Sequence, residues 1–250
     1  MSVIPAGALR DFIRDFDTVT GRHNRGQVWR DWVWLGATSI ANSLPSAQRA
    51  AREQRYQEIM RQYAPENQVT LARLLNQLVE VMDAGVSAGE FGDFLGELFM
   101  RLELSSSMNG QFFTPYHLCR LMARMTADGP AKEIEQKGWT SLNEPACGAG
   151  ATLIAMAEAL HKRGINYQST VFFTAQDLDS TCALMCYIQL SLLGCTGWVR
   201  IGDTLSHPPA APMLLGVDDG DTWYTPMYYS KEWSPRILAA RLTALRPGRR

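Results

Sequence analysis

Asn143-Glu144-Pro145-Ala146-Cys147-Gly148-Ala149-Gly150 decides how the rest of this chain reads. An apolar lead-in, Trp139 to Leu142, has the look of a strand. A strong helical pattern, Ala151 to Leu160, follows. Strand, small-residue loop and helix is the geometry in which backbone N–H groups at a helix start approach a ligand closely. Gly148 and Gly150 permit positive φ and close backbone contact. Pro145 stiffens the exit from the strand. Glu144, at the strand end, is placed to accept hydrogen bonds from a ligand amine.

Two further strand-then-acid stretches lie downstream. Ser169 to Ala175 is β-branched and aromatic, a second strand, and ends in Gln176-Asp177-Leu178-Asp179. An acid at the end of the strand after a glycine loop suits the ribose hydroxyls of a nucleoside. Asp179 is expected to cap the next helix, Thr181 to Leu193. Trp198 to Ile201 reads as a third strand, followed by Gly202-Asp203-Thr204-Leu205. Upstream lies Asn109-Gly110-Gln111-Phe112-Phe113-Thr114-Pro115. Pro115 suits the first position of a helix with Thr114 as its cap. That helix continues to Met125, with Leu118, Leu121, Met122 and Met125 expected inward.

Together these stretches resemble the adenine-specific DNA methyltransferases. Glu144-Pro-Ala-Cys-Gly-Ala-Gly150 resembles motif I of that family. Gly110-Gln-Phe-Phe-Thr-Pro115 resembles motif X, and Asp93-Phe-Leu-Gly-Glu-Leu-Phe99 resembles the helix before motif X in type I modification subunits. The resemblance is clearest from Asp93 to Leu205. It implies S-adenosyl-L-methionine as cofactor, held by Phe113, Thr114, Glu144, Ala146, Gly148, Gly150, Asp177 and Asp203. It also implies direct methyl transfer to the exocyclic amine of a flipped adenine, with DNA as partner.

One family element is missing. Motif IV is Asp/Asn-Pro-Pro-Tyr/Phe, whose polar atoms hold the target amine. Ser206-His207-Pro208-Pro209 lies too close to Gly202-Asp203-Thr204-Leu205, which resembles motif III, and Ala210 follows it. Thr225-Pro226-Met227-Tyr228 keeps one proline and the aromatic, so Thr225, Pro226 and Tyr228 are the catalytic candidates, with a hydroxyl in place of the amide. There are two rivals to a stand-alone enzyme. One is a catalytically silent relative binding cofactor, DNA or a partner in a modification or anti-restriction setting. The other is one subunit of a split enzyme.

The first hundred residues are helical throughout. Apolar stripes run over Ala8–Phe16, Gln27–Asn42, Arg49–Tyr63, Thr70–Met82 and Asp93–Leu104, with loops at Tyr63–Asn67 and Asp83–Val86. Trp29, Trp32 and Trp34 read as core. Arg22, His23, Arg25 and Arg30 form a modest basic cluster on a solvated face. The fold expectation is therefore α/β: a helical N-terminal domain over 1–105, then a reduced Rossmann-like methyltransferase core with a C-terminal extension over 106–250. A fourth strand is weakly signalled near Thr222–Tyr224, and a helix follows from Arg236 to a basic end. The open edge of so small a sheet is expected to be covered by the C-terminal segment or by a second chain, a further subunit or a homodimer mate.

Composition sets the outer bounds. The 250 residues are 46% hydrophobic and 20% charged with a net charge of −1, ordinary for a globular protein and without a strong general pull on nucleic acid. There are five cysteines and four histidines, and neither set has metal-ligand spacing. No apolar run spans a bilayer and the start lacks a signal-peptide pattern, so no membrane partner and a cytoplasmic location are expected.

Overall fold

A computed structural model of the protein describes residues 4–21, 23–104, 113–209, 213–216 and 220–244. Arg22, residues 109–112 of the aromatic turn, the 105/106 boundary, Ala210 and the basic end 246–250 lie outside them.

The N-terminal part is built from α1 (Ala6–Val19), α2 (Arg25–Ala41), α3 (Arg49–Met60), α4 (Pro65–Ser87) and α5 (Phe94–Arg101). Asn24 accepts from the Gln27 N–H at 2.7 Å and starts α2, while Pro65 opens α4. The loop expected at Asp83–Val86 is helix instead. Gly85 is there for space: a Cβ would lie 2.8 Å from the Glu90 carbonyl, where the chain folds back over the end of α4. Trp29 and Trp32 are core, and the Trp32 indole donates to the Leu71 carbonyl at 3.2 Å.

Two helices come next, α6 (Tyr116–Thr126) and α7 (Asp128–Lys137), the second unforeseen and ended by Gly138 at φ 78°. Two expectations fail at α6. Thr114 does not cap it; Pro115 occupies the cap position without a side-chain bond. Its stripe of Leu118, Leu121, Met122 and Met125 points to solvent, and the small residues Cys119 and Ala123 are the buried ones. Small side chains let α6 approach the helix after the glycine loop, and that close packing outweighs the larger stripe.

The sheet holds β1 (Thr140–Glu144), β2 (Val171–Asp177), β3 (Thr196–Ile201) and β4 (Thr222–Tyr224), in the order β1-β2-β3-β4. β1, β2 and β3 are parallel, and β4 runs antiparallel to β3. The crossovers are α8 (Ala151–His161) and, after the short turn α9 (Tyr167–Thr170), α10 (Ser180–Leu192). Asp179 caps α10, accepting from the N–H groups of Thr181 and Cys182.

Both crossover helices share one hydrophobic cluster with Phe173 of β2, so both cover the same face of the sheet. That cluster is continuous from Phe12 of α1 to Trp223 of β4, through both sides of position 105. The opposite face carries a separate cluster of Phe172, Trp198, Leu214, Tyr228, Trp233 and Ile237. Its cover is a turn at Pro226–Tyr229 and α11 (Ser234–Ala244). The C-terminal segment thus covers the β3 edge and this face. Among the described residues no strand pairs with β1 on its outer side.

Candidate cofactor site

The carboxyl ends of β1, β2 and β3 bring the acids together. Cys147 N–H donates to the Gln176 carbonyl at 2.9 Å and lays the glycine loop across the end of β2. Gly148 N–H then donates to Asp177 Oδ2 at 2.8 Å, and Asp177 Oδ1 accepts from the Asp179 N–H at 2.9 Å. Gly202 N–H donates to the Asp177 carbonyl at 2.8 Å, and the Thr204 hydroxyl donates to the Pro145 carbonyl at 2.6 Å. The turn after β3 is thereby tied to both the glycine loop and the end of β2.

Both glycines are at positive φ, Gly148 at 52° and Gly150 at 98°. Both are tightly surrounded. A Cβ on Gly148 would lie 3.1 Å from the Phe113 ring, and one on Gly150 would lie 2.9 Å from Cys186 Sγ. Phe113 is held edge-on against Phe99, with centroids 5.1 Å apart, so the aromatic turn before α6 reaches the glycine loop.

Glu144 Oε2 accepts from the Thr152 hydroxyl at 2.8 Å, and its Oε1 from the Ala146 N–H at 3.4 Å. Asp203 is exposed, and the N–H of Leu205, with the Ser206 hydroxyl beside it, holds its carboxyl below the usual range. Among the described residues none of Glu144, Asp177 and Asp203 sits in an ion pair. Uncompensated carboxylates repel phosphate and favour a ligand with hydroxyls, an amine or a fixed cation.

Cys147 is buried in the middle of the loop, and burial pushes its thiol well above the ordinary value, with Cys186 adding to the effect. It stays protonated and is no nucleophile. No group of three metal-binding side chains occurs among the described residues.

The structure thus brings Phe113, Glu144, Ala146, Gly148, Gly150, Asp177 and Asp203 to one edge, with Thr114 exposed beside Phe113. It does not bring Thr225, Pro226 and Tyr228 there. Thr225 Oγ1 accepts from the Gly197 N–H at 3.0 Å and donates to the Gly197 carbonyl at 3.2 Å. Gly197 pairs with Phe173, whereas Ile201 pairs with Asp177. Four residues of strand separate the two ends, about 13 Å. The cause is direction: an antiparallel β4 delivers the residues after it to the amino-terminal edge of the parallel strands. Thr225 is fully buried, and the Tyr228 hydroxyl donates to the Leu214 carbonyl at 3.2 Å. Pro226 opens the turn between them.

Sequence reasoning missed one contributor. Gln189, fully buried on α10, donates from Nε2 to the Ala149 carbonyl at 2.7 Å and to Asp93 Oδ1 at 2.8 Å, and its Oε1 accepts from the Leu95 N–H at 3.1 Å. It staples the glycine loop to the start of α5. Its signal was a lone amide in a helix apolar all round, which must find partners. Leu178 and Leu205, one residue after Asp177 and two after Asp203, are 75% and 94% exposed.

These features define a class: an α/β protein whose parallel strands end in a glycine loop and a row of acids. The model of the N-6 DNA Methylase family matches residues 87–240, and the chain belongs to that family. Over 111 residues it is 28% identical to the type I restriction enzyme MjaIX methylase subunit of Methanocaldococcus jannaschii. The match covers 44% of this chain and 18% of that relative.

Proposed function

We propose that this chain binds S-adenosyl-L-methionine at the carboxyl edge of a Rossmann-like half-sheet and serves methylation of the adenine exocyclic amine in DNA. The observation that carries the reading is the Gly148–Asp177 bond beneath Phe113, which joins motif X, motif I and the acid that ends β2 at one place. The cofactor supplies an electrophilic methyl group on a sulfonium. The chain's own residues bind and orient. Asp177 has lone pairs left for ribose hydroxyls after its two backbone bonds. Asp203 accepts from an adenine amine between Leu178 and Leu205. Glu144 and the N–H groups at the start of α8 take the amino-acid end, with Thr114 and Phe113 closing over it. The unpaired carboxylates favour a cationic sulfonium and ammonium.

The displaced Thr225 favours a particular form of this function. No side chain among the candidates holds the target amine at this edge, which favours a reading in which another part of the protein or a second subunit supplies the acceptor. The test is equilibrium binding of the cofactor to the purified chain, with methyl transfer to unmethylated DNA measured in parallel. Micromolar binding is expected, and Asp177→Ala should weaken it by about ten- to a hundred-fold, the worth of hydrogen bonds to a charged group. A chain that binds no cofactor while folded would end the proposal.

A further inference from the structure

Glu158, buried on α8, faces the first turns of α6 and takes three donors on its carboxylate. The Tyr116 hydroxyl donates to Oε2 at 2.9 Å, Arg120 reaches Oε1 at 3.0 Å, and Lys162 pairs with the same oxygen. Tyr116 and Arg120 are one turn apart on α6, and Glu158 and Lys162 one turn apart on α8, so the group clamps two facing helix surfaces. Burial, and then the carboxylate beside it, push the Tyr116 phenol up, so the hydroxyl keeps its proton and stays the donor.

Taking a carboxylate out of water costs about as much as its partners return, so such a cluster is a weak source of stability and better suited to fixing an arrangement. The arrangement at stake is the start of α6. No side chain caps that helix, and its buried residues, Cys119 and Ala123, begin a turn further on. α8, in turn, begins at the glycine loop, with Gly150 as its cap residue, and Glu158 stands two turns after Ala151, about 10 Å along the axis. Tyr116 follows closely on Phe113, whose ring lies over Gly148. The Tyr116–Glu158 bond therefore fixes the start of α6 against α8, and with it the Phe113-Thr114 turn against the glycine loop.

We propose that Glu158 is a positioning residue for cofactor binding: through Tyr116 it sets the Phe113-Thr114 turn over the amino-acid end of the ligand. The role rests on the cofactor reading above. In that reading the nucleoside end belongs to Asp177 and Asp203, which make no contact with the clamp, so Glu158 acts on one end of the ligand.

Two probes separate the ends: S-adenosyl-L-methionine, and methylthioadenosine, which has the same nucleoside and no amino-acid end. Equilibrium binding of each is measured with the full chain and with Tyr116→Phe, Glu158→Leu and Glu158→Gln, each checked for folding by circular dichroism. Tyr116→Phe keeps the ring and removes only the bond to Glu158. It should weaken S-adenosyl-L-methionine by about tenfold, the worth of one hydrogen bond, and methylthioadenosine by less than about twofold. Glu158→Leu should act at least as strongly. Glu158→Gln should restore part of the loss, because its amide oxygen still accepts from Tyr116. Tyr116→Phe added to Glu158→Leu should bring no further loss, since both remove one bond. Equal losses for the two probes would make Glu158 a support of the whole site and overturn the positioning role. If Glu158→Leu does not fold, Tyr116→Phe and Glu158→Gln decide alone. A parent chain that binds both probes, with Tyr116→Phe matching it, keeps the cofactor reading and removes the clamp. A folded parent that binds neither probe ends the cofactor reading and the positioning role with it.

Discussion

Gly150 illustrates how a single position carries the site. Its φ of 98° and the Cys186 sulfur 2.9 Å from a would-be Cβ leave no freedom for alanine. Gly150→Ala should cost about 1–3 kcal/mol of stability, because it forces a side chain into strained backbone. It should also tilt the loop away from Asp177 and weaken cofactor binding. A denaturation midpoint equal to the parent's would show that the loop can relax. These glycines were legible because small residues between a strand and a helix have few other uses. The partner that makes Gly150 necessary, Cys186, is distant in sequence and was not.

Asp93 and Gln189 act as a joint between α5, α10 and the glycine loop. Gln189→Leu leaves the Leu95 N–H, the Ala149 carbonyl and Asp93 short of partners in a dry place. A loss of about 3 kcal/mol is expected, because each unsatisfied buried group costs roughly 1–3 kcal/mol. Urea denaturation measures it, and a loss within error would remove Gln189 from the joint. Asp93 adds a pH dependence. Burial pushes its carboxyl up from 3.8, while Gln189 and the Gly96 N–H pull it down less strongly. Ionisation therefore costs more in the folded chain than in the unfolded one. Below the unfolded value both states hold the proton and the cost vanishes; it appears as pH rises through that value toward the folded one. Asp93→Asn cannot ionise, so its stability relative to the parent should grow as pH rises through the ordinary value of 3.8 and above it. A constant difference across that range would contradict the assignment. Among the helices, α1 and α5 bury the apolar stripes expected of them. α6 does not, because Cys119 and Ala123, chosen for close approach to α8, outrank larger residues whose cover is absent from the described residues.

The two faces of the sheet have different roles in the molecule. One joins the N-terminal helices to the site through a continuous core; the other is sealed by Trp233, fully buried against Phe172 and donating to the Gln168 carbonyl at 2.8 Å. Trp233→Ala should lower stability by about 3–5 kcal/mol, as large-to-small core changes do. Cofactor affinity of the folded fraction should stay as it was, since that cluster lies away from the acid row. A parallel fall in affinity would show that the second face supports the site. No described helix is long and apolar enough to cross a membrane.

The sequence alone determined the parallel strand–glycine loop–helix unit, the acids that end successive strands, and membership of an adenine methylase-like family. These depend on local chemistry: positive φ, strand ends and helix caps act within a few residues of themselves. Only the tertiary structure decided which way β4 runs, and so that Thr225 lies at the opposite end of the parallel strands from the acids, about 13 Å along the strand. It alone showed that α6 turns its apolar stripe outward beside an unpaired β1. Strand direction and helix facing are settled by what packs against them, and those partners are scattered along the chain.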